Sequence, residues 1–256
     1  VADMSSRKLN IDREALKTRL ASKRVRDFWK KIKTHDRIQY NVFGTKTGRL
    51  TTKKTSFPIL TMDANFRSVI KPHNDWLVEL DFNAAELRVL LALSGNEQPS
   101  EDLHEWNMRN IFSDVRTRDE AKKKIFAWLY NPKTLNRSAE AVYNRALVLE
   151  KYYAEGQVET TYGRTIPADD HHALNYIVQS TTSDLFLRRL CEVHKLLKDR
   201  ESYISFCIHD SMVLDLAEED KHLLPEIIEA FSSTEFGKFK TNLSAGKGFG
   251  SMRRIR

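Results

Sequence analysis

The chain has 256 residues, of which 41% are hydrophobic and 30% are charged, a composition typical of soluble, globular proteins. No apolar run approaches the ~20 residues that span a bilayer, and no signal-peptide pattern is present, so we expect neither a membrane partner nor secretion. The formal net charge of +7 favours an acidic partner, most commonly nucleic acid, although many basic proteins bind nothing acidic.

The N-terminal part of the chain predicts basic helices, then loops, then a strand that leads into a helix. Residues 7–34 are rich in Lys and Arg and carry apolar residues at helical spacing, which predicts one or two helices. Residues 36–70 hold glycines, threonines and a proline and predict loops and short strands. Trp76–Phe82 alternates as a strand does, and residues 84–94 predict a helix that ends at Gly95.

The remainder of the chain mixes helices and strands without a regular βαβ alternation. It predicts a mostly helical region over 101–155, a hairpin over 158–166, a long helix over 173–198, and strands at Tyr203–Ile208 and 212–216. Residues 242–256 are glycine-rich and basic. This mixture favours an α+β fold whose antiparallel sheet is covered by helices. Cys191 and Cys207 lie within apolar patterns and are expected to be free, buried thiols.

Two aspartates occupy positions suited to a metal site. Asp81 lies at the end of one predicted strand, and Asp210 lies at the tip of the tight hairpin His209-Asp210-Ser211. If the strands are neighbours, both carboxylates project at the same edge, where they can hold two Mg²⁺ ions about 4 Å apart for phosphoryl transfer. For either residue alone, a turn former or helix N-cap is the ordinary explanation.

Two cations and two aromatic residues recur every four residues on the predicted helix that includes Arg118, Lys122, Phe126 and Tyr130. On a helix these side chains form one stripe about 18 Å long. Such a face suits an anionic triphosphate at one end and a flat base at the other. The alternative is a helix with a solvated basic half and a buried aromatic half.

Together these motifs resemble those of the family-A DNA polymerases, which include bacterial polymerase I and phage polymerases. The stretch that begins at Asp81 resembles motif A, the stripe resembles motif B, and His209-Asp210 resembles the core of motif C. Three further segments agree in order: Thr47-Gly48-Arg49-Leu50, Val158-Glu159-Thr160 with Gly163-Arg164, and Asn175 with Gln179. The resemblance covers about residues 40–256.

The resemblance implies a right-hand polymerase architecture of α+β class, with an antiparallel palm sheet, helical fingers and a reduced thumb. Residues 1–46 would form a basic helical segment that is a thumb remnant and grips the duplex. Residues 47–100 would form the first part of the palm, 101–157 the fingers, and 158–256 the second part of the palm. The expected activity is the template-directed addition of dNTPs to a primer 3′ end.

The resemblance also implies how the site would hold metal and nucleotide. Asp81, Asp210 and the backbone carbonyl of Phe82 would bind two Mg²⁺ ions, for which Mn²⁺ is a possible substitute. Lys122, as a catalytic residue, and Arg118 would neutralise the triphosphate, and His104 would contact its phosphates.

The remaining implied roles concern the sugar, the base and the DNA. Phe126 and Tyr130 would pack on the incoming sugar and base, and Glu86 would exclude a ribose 2′-hydroxyl. The primer–template duplex would be contacted by Arg49, Asn175 and Gln179 in the minor groove, by His209 at the primer terminus, and by Arg164.

Two other functions remain open in the sequence. Ser211 stands where DNA polymerases of the family usually have Glu, and this Ser is familiar from single-subunit RNA polymerases. A non-catalytic nucleic-acid-binding relic of a polymerase would also account for the basic charge.

The short stretch before Thr47 predicts no 3′–5′ exonuclease domain in this chain, and Val1 is compatible with a fragment of a longer protein. Accessory replication proteins or N-terminal domains of that longer protein are the expected partners besides DNA and dNTPs. We expect a cytoplasmic location in a bacterium or phage-infected cell, or an organellar one for a eukaryotic fragment.

Overall fold

A five-stranded antiparallel sheet lies at the centre of the protein, which a computed structural model describes over residues 1–255. Arg256, in the expected second palm segment, lies outside the described residues. Within them the α-helices are α1 (Ala2–Ser6), α2 (Lys23–Thr34), α3 (Ala85–Leu93), α4 (Leu103–Asn110), α5 (Arg118–Tyr130), α6 (Arg137–Tyr143), α7 (Arg145–Tyr152), α8 (Ala173–Leu196) and α9 (Leu224–Ser232).

The strands range from two to seven residues in length. They are β1 (Asn10–Ile11), β2 (Tyr40–Asn41), β3 (Thr51–Thr52), β4 (Ile70–Lys71), β5 (Trp76–Phe82), β6 (Tyr153–Ala154), β7 (Gln157–Glu159), β8 (Thr165–Pro167), β9 (Tyr203–Ile208), β10 (Ser211–Leu216), β11 (Ser233–Thr234), β12 (Gly237–Lys238), β13 (Thr241–Gly246) and β14 (Arg253–Arg254). The central sheet has the order β14-β13-β5-β10-β9.

The central sheet is apolar on one face and partly polar on the other. Val78, Leu80 and Phe82 share one face of β5 because side chains alternate along a strand. The ring of Phe82 stacks on Phe231 of α9 at 4.2 Å between centroids, and Phe186 of α8 packs edge-on against Phe231. Helices α8 and α9 therefore cover this face, and the polar residues of β5 lie on the other.

Register places distant parts of the chain side by side at one end of this sheet. In the antiparallel pairs, Asp81 of β5 lies opposite Ser211 of β10 on one side and opposite Asn242 of β13 on the other. Directly opposed residues in an antiparallel sheet have their side chains on the same face. Asp81, Ser211 and Asn242 therefore share the polar face at the end where β5 leads into α3.

Most predicted elements are present, but the basic N-terminal region differs in part from expectation. Only Lys23–Thr34 forms an α-helix there, while Glu14–Arg19 forms a 3₁₀ helix. Asn10–Ile11 instead pairs with β4, which anchors this part of the chain to the strand before the central sheet. The expectation of one or two helices is therefore met by this 3₁₀ helix and α2, although Asn10–Ile11 is extended and not helical.

The two cysteines are both free, but only one is buried. Cys207 is buried in β9, whereas Cys191 is exposed on α8, so the expectation of burial was wrong for Cys191. Among residues 1–255, no helix combines the length and the apolar composition that crossing a bilayer requires.

Candidate active site

A cleft of about 310 Å³ opens where β5 leads into α3 and where β9 turns into β10. Ten of the fourteen residues that the sequence singled out line it: Arg49, Asp81, Phe82, Glu86, His104, Arg118, Lys122, Phe126, Tyr130 and Asp210. Asn83, Ala84, Ala85 and Asn242 complete the lining, although sequence analysis gave them no role. The structure thus gathers residues from four separate motifs around one concavity.

Two aspartates approach each other at the floor of the cleft because of the strand register. Asp81 is the penultimate residue of β5, and Asp210 directly precedes Ser211, the residue opposite Asp81. Opposed Cα atoms in an antiparallel pair are about 4.5–5.5 Å apart. Asp210 lies one residue beyond the Asp81–Ser211 pair, so its backbone is close to that of Asp81. His209 adopts a left-handed backbone conformation, with φ of +52°, which closes the turn between β9 and β10.

Burial disfavours the charged form of both aspartates. Burial raises the pKa of Asp81 to about 6, with a hydrogen bond from Asn242 acting against it and the charges of Glu79 and Asp210 adding to it. Burial also raises the pKa of Asp210, while the nearby Arg49 opposes that rise. This end of the sheet therefore holds several carboxyl groups close together, and nearby cationic side chains only partly offset the negative charge that they carry when ionised.

Polar neighbours of the aspartates form hydrogen bonds that the sequence did not predict. The Asn242 Nδ2 atom donates to Asp81 Oδ2 at 3.1 Å, and Arg254 Nη2 donates to Asn242 Oδ1 at 2.7 Å. On the other side, Ser211 Oγ donates to Glu79 Oε1 at 2.9 Å. Asn242 and Arg254 lie in the glycine-rich end of the chain, where no strand pattern had indicated β13.

The cationic end of the cleft is organised by one carboxylate. Arg118 at the start of α5 donates to both oxygens of Asp102, at 3.1 and 2.9 Å. Asp102 also accepts from the backbone amides of His104 and Glu105 in α4 and from Asn83 Nδ2 at 2.7 Å. These bonds hold the pKa of Asp102 at about 2, and its fixed charge orients the Arg118 guanidinium.

His104 is uncharged at neutral pH in this site. It is buried on α4, and burial together with the charge of Arg118 lowers its pKa to about 4. Its Nδ1 atom is buried and has no hydrogen-bond partner among residues 1–255. A buried nitrogen of this kind is available to a ligand that enters the cleft.

The stripe on α5 forms as predicted, and all four of its members line the cleft. The helix begins at a capping box in which Thr117 and Glu120 satisfy each other's backbone amides. At its far end Phe126 and Tyr130 stack with 5.8 Å between ring centroids and 10° between planes. Lys122 is exposed between the two halves, so cations and flat rings face the same space.

Comparisons with known proteins link the chain to DNA polymerases, although no protein-family model matches it. It is 27% identical over 246 residues to the thermostable DNA polymerase I of Thermus filiformis, covering 75% of this chain and 30% of that protein. It is 26% identical over 215 residues to the DNA polymerase of Mycobacterium phage D29, covering 65% of this chain and 35% of that protein. The chain spans about a third of the length of these curated relatives.

The fold matches a solved polymerase domain. The polymerase domain of Pol1 from M. smegmatis, in complex with DNA primer-template and dNTP, superimposes with a TM-score of 0.73 and 15% identity. The match covers 94% of this chain and 56% of that chain. The chain thus resembles the family-A DNA polymerases in sequence and in fold. The expected α+β, right-hand polymerase architecture with an antiparallel sheet is confirmed.

Four residues that were expected to contact DNA do not line the cleft: Arg164, Asn175, Gln179 and His209. Arg164 forms an ion pair with Asp184 of α8 at 3.2 Å. Asn175 and Gln179 lie on the first turns of α8, beside the loop from which Lys46 reaches the ring of Tyr176. His209 is exposed next to Asp210. Their contacts with DNA remain predictions.

Replacing Asp81 by Asn is expected to stabilise the metal-free protein at neutral pH. A raised carboxyl pKa means that the folded state binds the proton more tightly than the unfolded state does, so stability falls as pH rises from about 4 through 6. A neutral amide removes this cost, on the order of 1–3 kcal/mol at pH 7.5. Urea unfolding in EDTA at pH 7.5 measures the gain, which should shrink toward pH 4; a loss of stability at pH 7.5 would contradict it.

Proposed function

We propose that the chain is the polymerase domain of a template-directed DNA polymerase that adds dNTPs to the 3′ end of a primer. The observation that carries the proposal is the single cleft in which Asp81 and Asp210 face Arg118 and Lys122. Acidic side chains at one end suit metal ions, and cationic side chains at the other suit a triphosphate. This arrangement supports phosphoryl transfer more directly than nucleic-acid binding alone, because carboxylates without metal ions would repel the phosphates of a nucleic acid.

The donor set fits Mg²⁺, with Mn²⁺ as a possible substitute. Asp81 and Asp210 bring two carboxylates whose burial leaves charge to be neutralised, and Phe82, whose backbone carbonyl would add a ligand, follows Asp81 and lines the same cleft. Among residues 1–255, no cluster of three or more His, Cys, Asp or Glu side chains is arranged to hold a metal. Mg²⁺ needs no such cluster, because it keeps several waters and takes further ligands from substrate phosphates.

The two bound ions would lower the pKa of the primer 3′-hydroxyl and stabilise charge on the triphosphate. The chain's own part is to place the groups that react. Arg118, fixed by Asp102, and Lys122 would hold the phosphates and offset their growing negative charge. His104, neutral and with a free buried nitrogen, would hydrogen-bond a phosphate without adding charge.

The aromatic end of the cleft would position the incoming nucleotide. The stacked rings of Phe126 and Tyr130 offer a flat apolar surface to its sugar and base. Glu86 lies on the first turn of α3, shortly after β5, and lines the cleft. Its carboxylate would exclude a ribose 2′-hydroxyl there. Arg49, Asn175 and Gln179 would contact the minor groove, where acceptors are common to all base pairs.

The proposed function also implies how the chain is divided and where the protein acts. We propose the division 1–46, 47–100, 101–157 and 158–256 into basic N-terminal segment, first palm part, fingers and second palm part. Within residues 1–255 we propose no 3′–5′ exonuclease domain. We propose a cytoplasmic location, which the bacterial and phage relatives favour over an organellar one. We also propose a role in replication, with accessory proteins or further domains as partners.

Primer extension tests the proposed function. A labelled primer annealed to a longer template, with Mg²⁺ and the four dNTPs, should be extended, and EDTA should stop the reaction. Extension with rNTPs in place of dNTPs would instead favour an RNA polymerase-like enzyme, for which Ser211 is the supporting residue. Duplex binding without extension by either nucleotide set, in Mg²⁺ or Mn²⁺, would reject the proposal in favour of a non-catalytic relic.

A further inference from the structure

One ion pair crosses the cleft between two motifs that the proposed function treats separately. Arg49 Nη2 donates to Glu86 Oε1, joining the loop before β3 to the first turn of α3. The side chain of Glu86 is only 6% exposed, whereas that of Arg49 is 43% exposed. The carboxylate is thus buried, and its cationic partner reaches it from the open side of the cleft.

Glu86 depends on Arg49 for its charge. Burial raises the pKa of Glu86 to about 7, the charge of Arg49 acts against this rise, and Asp210 adds to it. A buried carboxylate that loses its cationic partner is costly, and it responds by taking up a proton or by turning toward another donor. Either response changes what Glu86 presents to a sugar in the cleft.

The loop that carries Arg49 is held in place by the rest of the fold. Gly48 has φ of +76°, and a Cβ there would lie 2.3 Å from Arg164 Nη1, so the guanidinium of Arg164 fills the space beneath the glycine. Arg164 in turn pairs with Asp184 of α8. Thr45 Oγ1 donates to the Arg49 carbonyl at 3.1 Å. These contacts therefore fix the backbone from which the Arg49 side chain reaches Glu86.

Arg49 retains hydrogen-bonding capacity beyond this pair. A guanidinium carries five N–H donors, and the bond to Glu86 uses one. The remaining donors belong to a half-exposed side chain in the same cleft. One guanidinium can therefore hold Glu86 and still meet acceptors on a primer-terminal base pair or an incoming sugar.

We propose that Arg49 is a specificity-determining residue, which holds the Glu86 carboxylate in the orientation that excludes a 2′-hydroxyl. Discrimination between dNTP and rNTP then depends on the Arg49–Glu86 pair and not on Glu86 alone. This inference rests on the proposed function and deepens it, because it assigns sugar selection to a contact between two motifs.

The test is the ratio of kcat/KM for dNTP to that for rNTP in single-nucleotide extension. Glu86→Ala and Arg49→Met should each lower this ratio by roughly tenfold or more. The double variant should lower it no further than Glu86→Ala does, because residues that act as a pair are not additive. Equilibrium binding of dNTP and rNTP to a complex with a dideoxy-terminated primer should show the same loss of preference without any reaction.

Lys46→Met is the matched control, since it removes an exposed cation from the same loop without touching Glu86; its ratio should equal that of the wild type. The inference is overturned if Glu86→Ala lowers the ratio while Arg49→Met keeps it, an outcome that leaves the proposed function standing. It is also overturned if the losses in the double variant add. Should Arg49→Met not fold, Arg49→Gln gives the same comparison. Absence of extension by the wild-type protein would reject the proposed function itself.

Discussion

Replacing Asp81 or Asp210 by Asn is expected to abolish primer extension, with a loss of at least about 10³-fold. The amide keeps the shape of the side chain but removes the negative oxygen that a hard divalent ion prefers. Metal ions contribute several kcal/mol of charge stabilisation to such reactions, and each ~1.4 kcal/mol is a factor of ten in rate. Single-turnover extension at saturating dNTP measures the effect.

Measurements of duplex affinity and of protein stability distinguish this loss of activity from a loss caused by unfolding. Duplex affinity at fixed salt should stay close to that of the wild type, because backbone contacts by basic side chains carry most of it. Asp81→Asn should also be at least as stable as the wild-type protein at pH 7.5, so misfolding cannot account for lost activity. Extension that persists in either variant would reject the assignment of these carboxylates to metal ions.

Replacing Lys122 by Ala is expected to slow extension by about 10²–10³-fold, the usual cost of removing one group that stabilises developing charge. Lys122 lies midway along the α5 stripe, four residues from Arg118 and four from Phe126, and it lines the cleft. Without it, a bound triphosphate would lose one of the two cations that the α5 stripe brings to the cleft. Pre-steady-state rates over a range of dNTP concentrations separate the effects on affinity and on the chemical step.

Lys123→Ala is the matched control for Lys122→Ala. Lys123 is the next residue of the same helix and is also exposed, but it does not line the cleft. Its removal subtracts the same charge and should leave the rate of nucleotide addition close to that of the wild type. Equal losses in the two variants would show that general charge, and not the position of Lys122, is responsible.

Sequence patterns predicted the parts of the cleft that follow from local regularity. The four-residue spacing from Arg118 to Tyr130 requires only that the segment be helical, and α5 is helical throughout. Asp81 was placed by the alternation of Trp76–Phe82, whose apolar face is buried against α9. Both predictions rest on the periodicity of one element, which the chain displays directly.

The contacts that the sequence did not predict depend on which strands become neighbours. Asn242 bonds Asp81 because β13 pairs with β5, and β13 lies in a glycine-rich stretch without a strand-like alternation. Glu79 lies two residues before Asp81 and therefore on the same face of β5, yet its bond to Ser211 follows only from the register with β10. Long-range register is set by the whole fold and is not encoded in any single window of sequence.

The polar end of the sheet brings together stretches of chain that are far apart in sequence. Asp81, Ser211 and Asn242 come from β5, β10 and β13, and the middle strand of the three is the earliest to be synthesised. A nascent chain therefore cannot complete this end of the sheet until β13 has emerged and paired with β5. Any nascent or nicked product that lacks β13 leaves Asp81 of the proposed site without its amide partner.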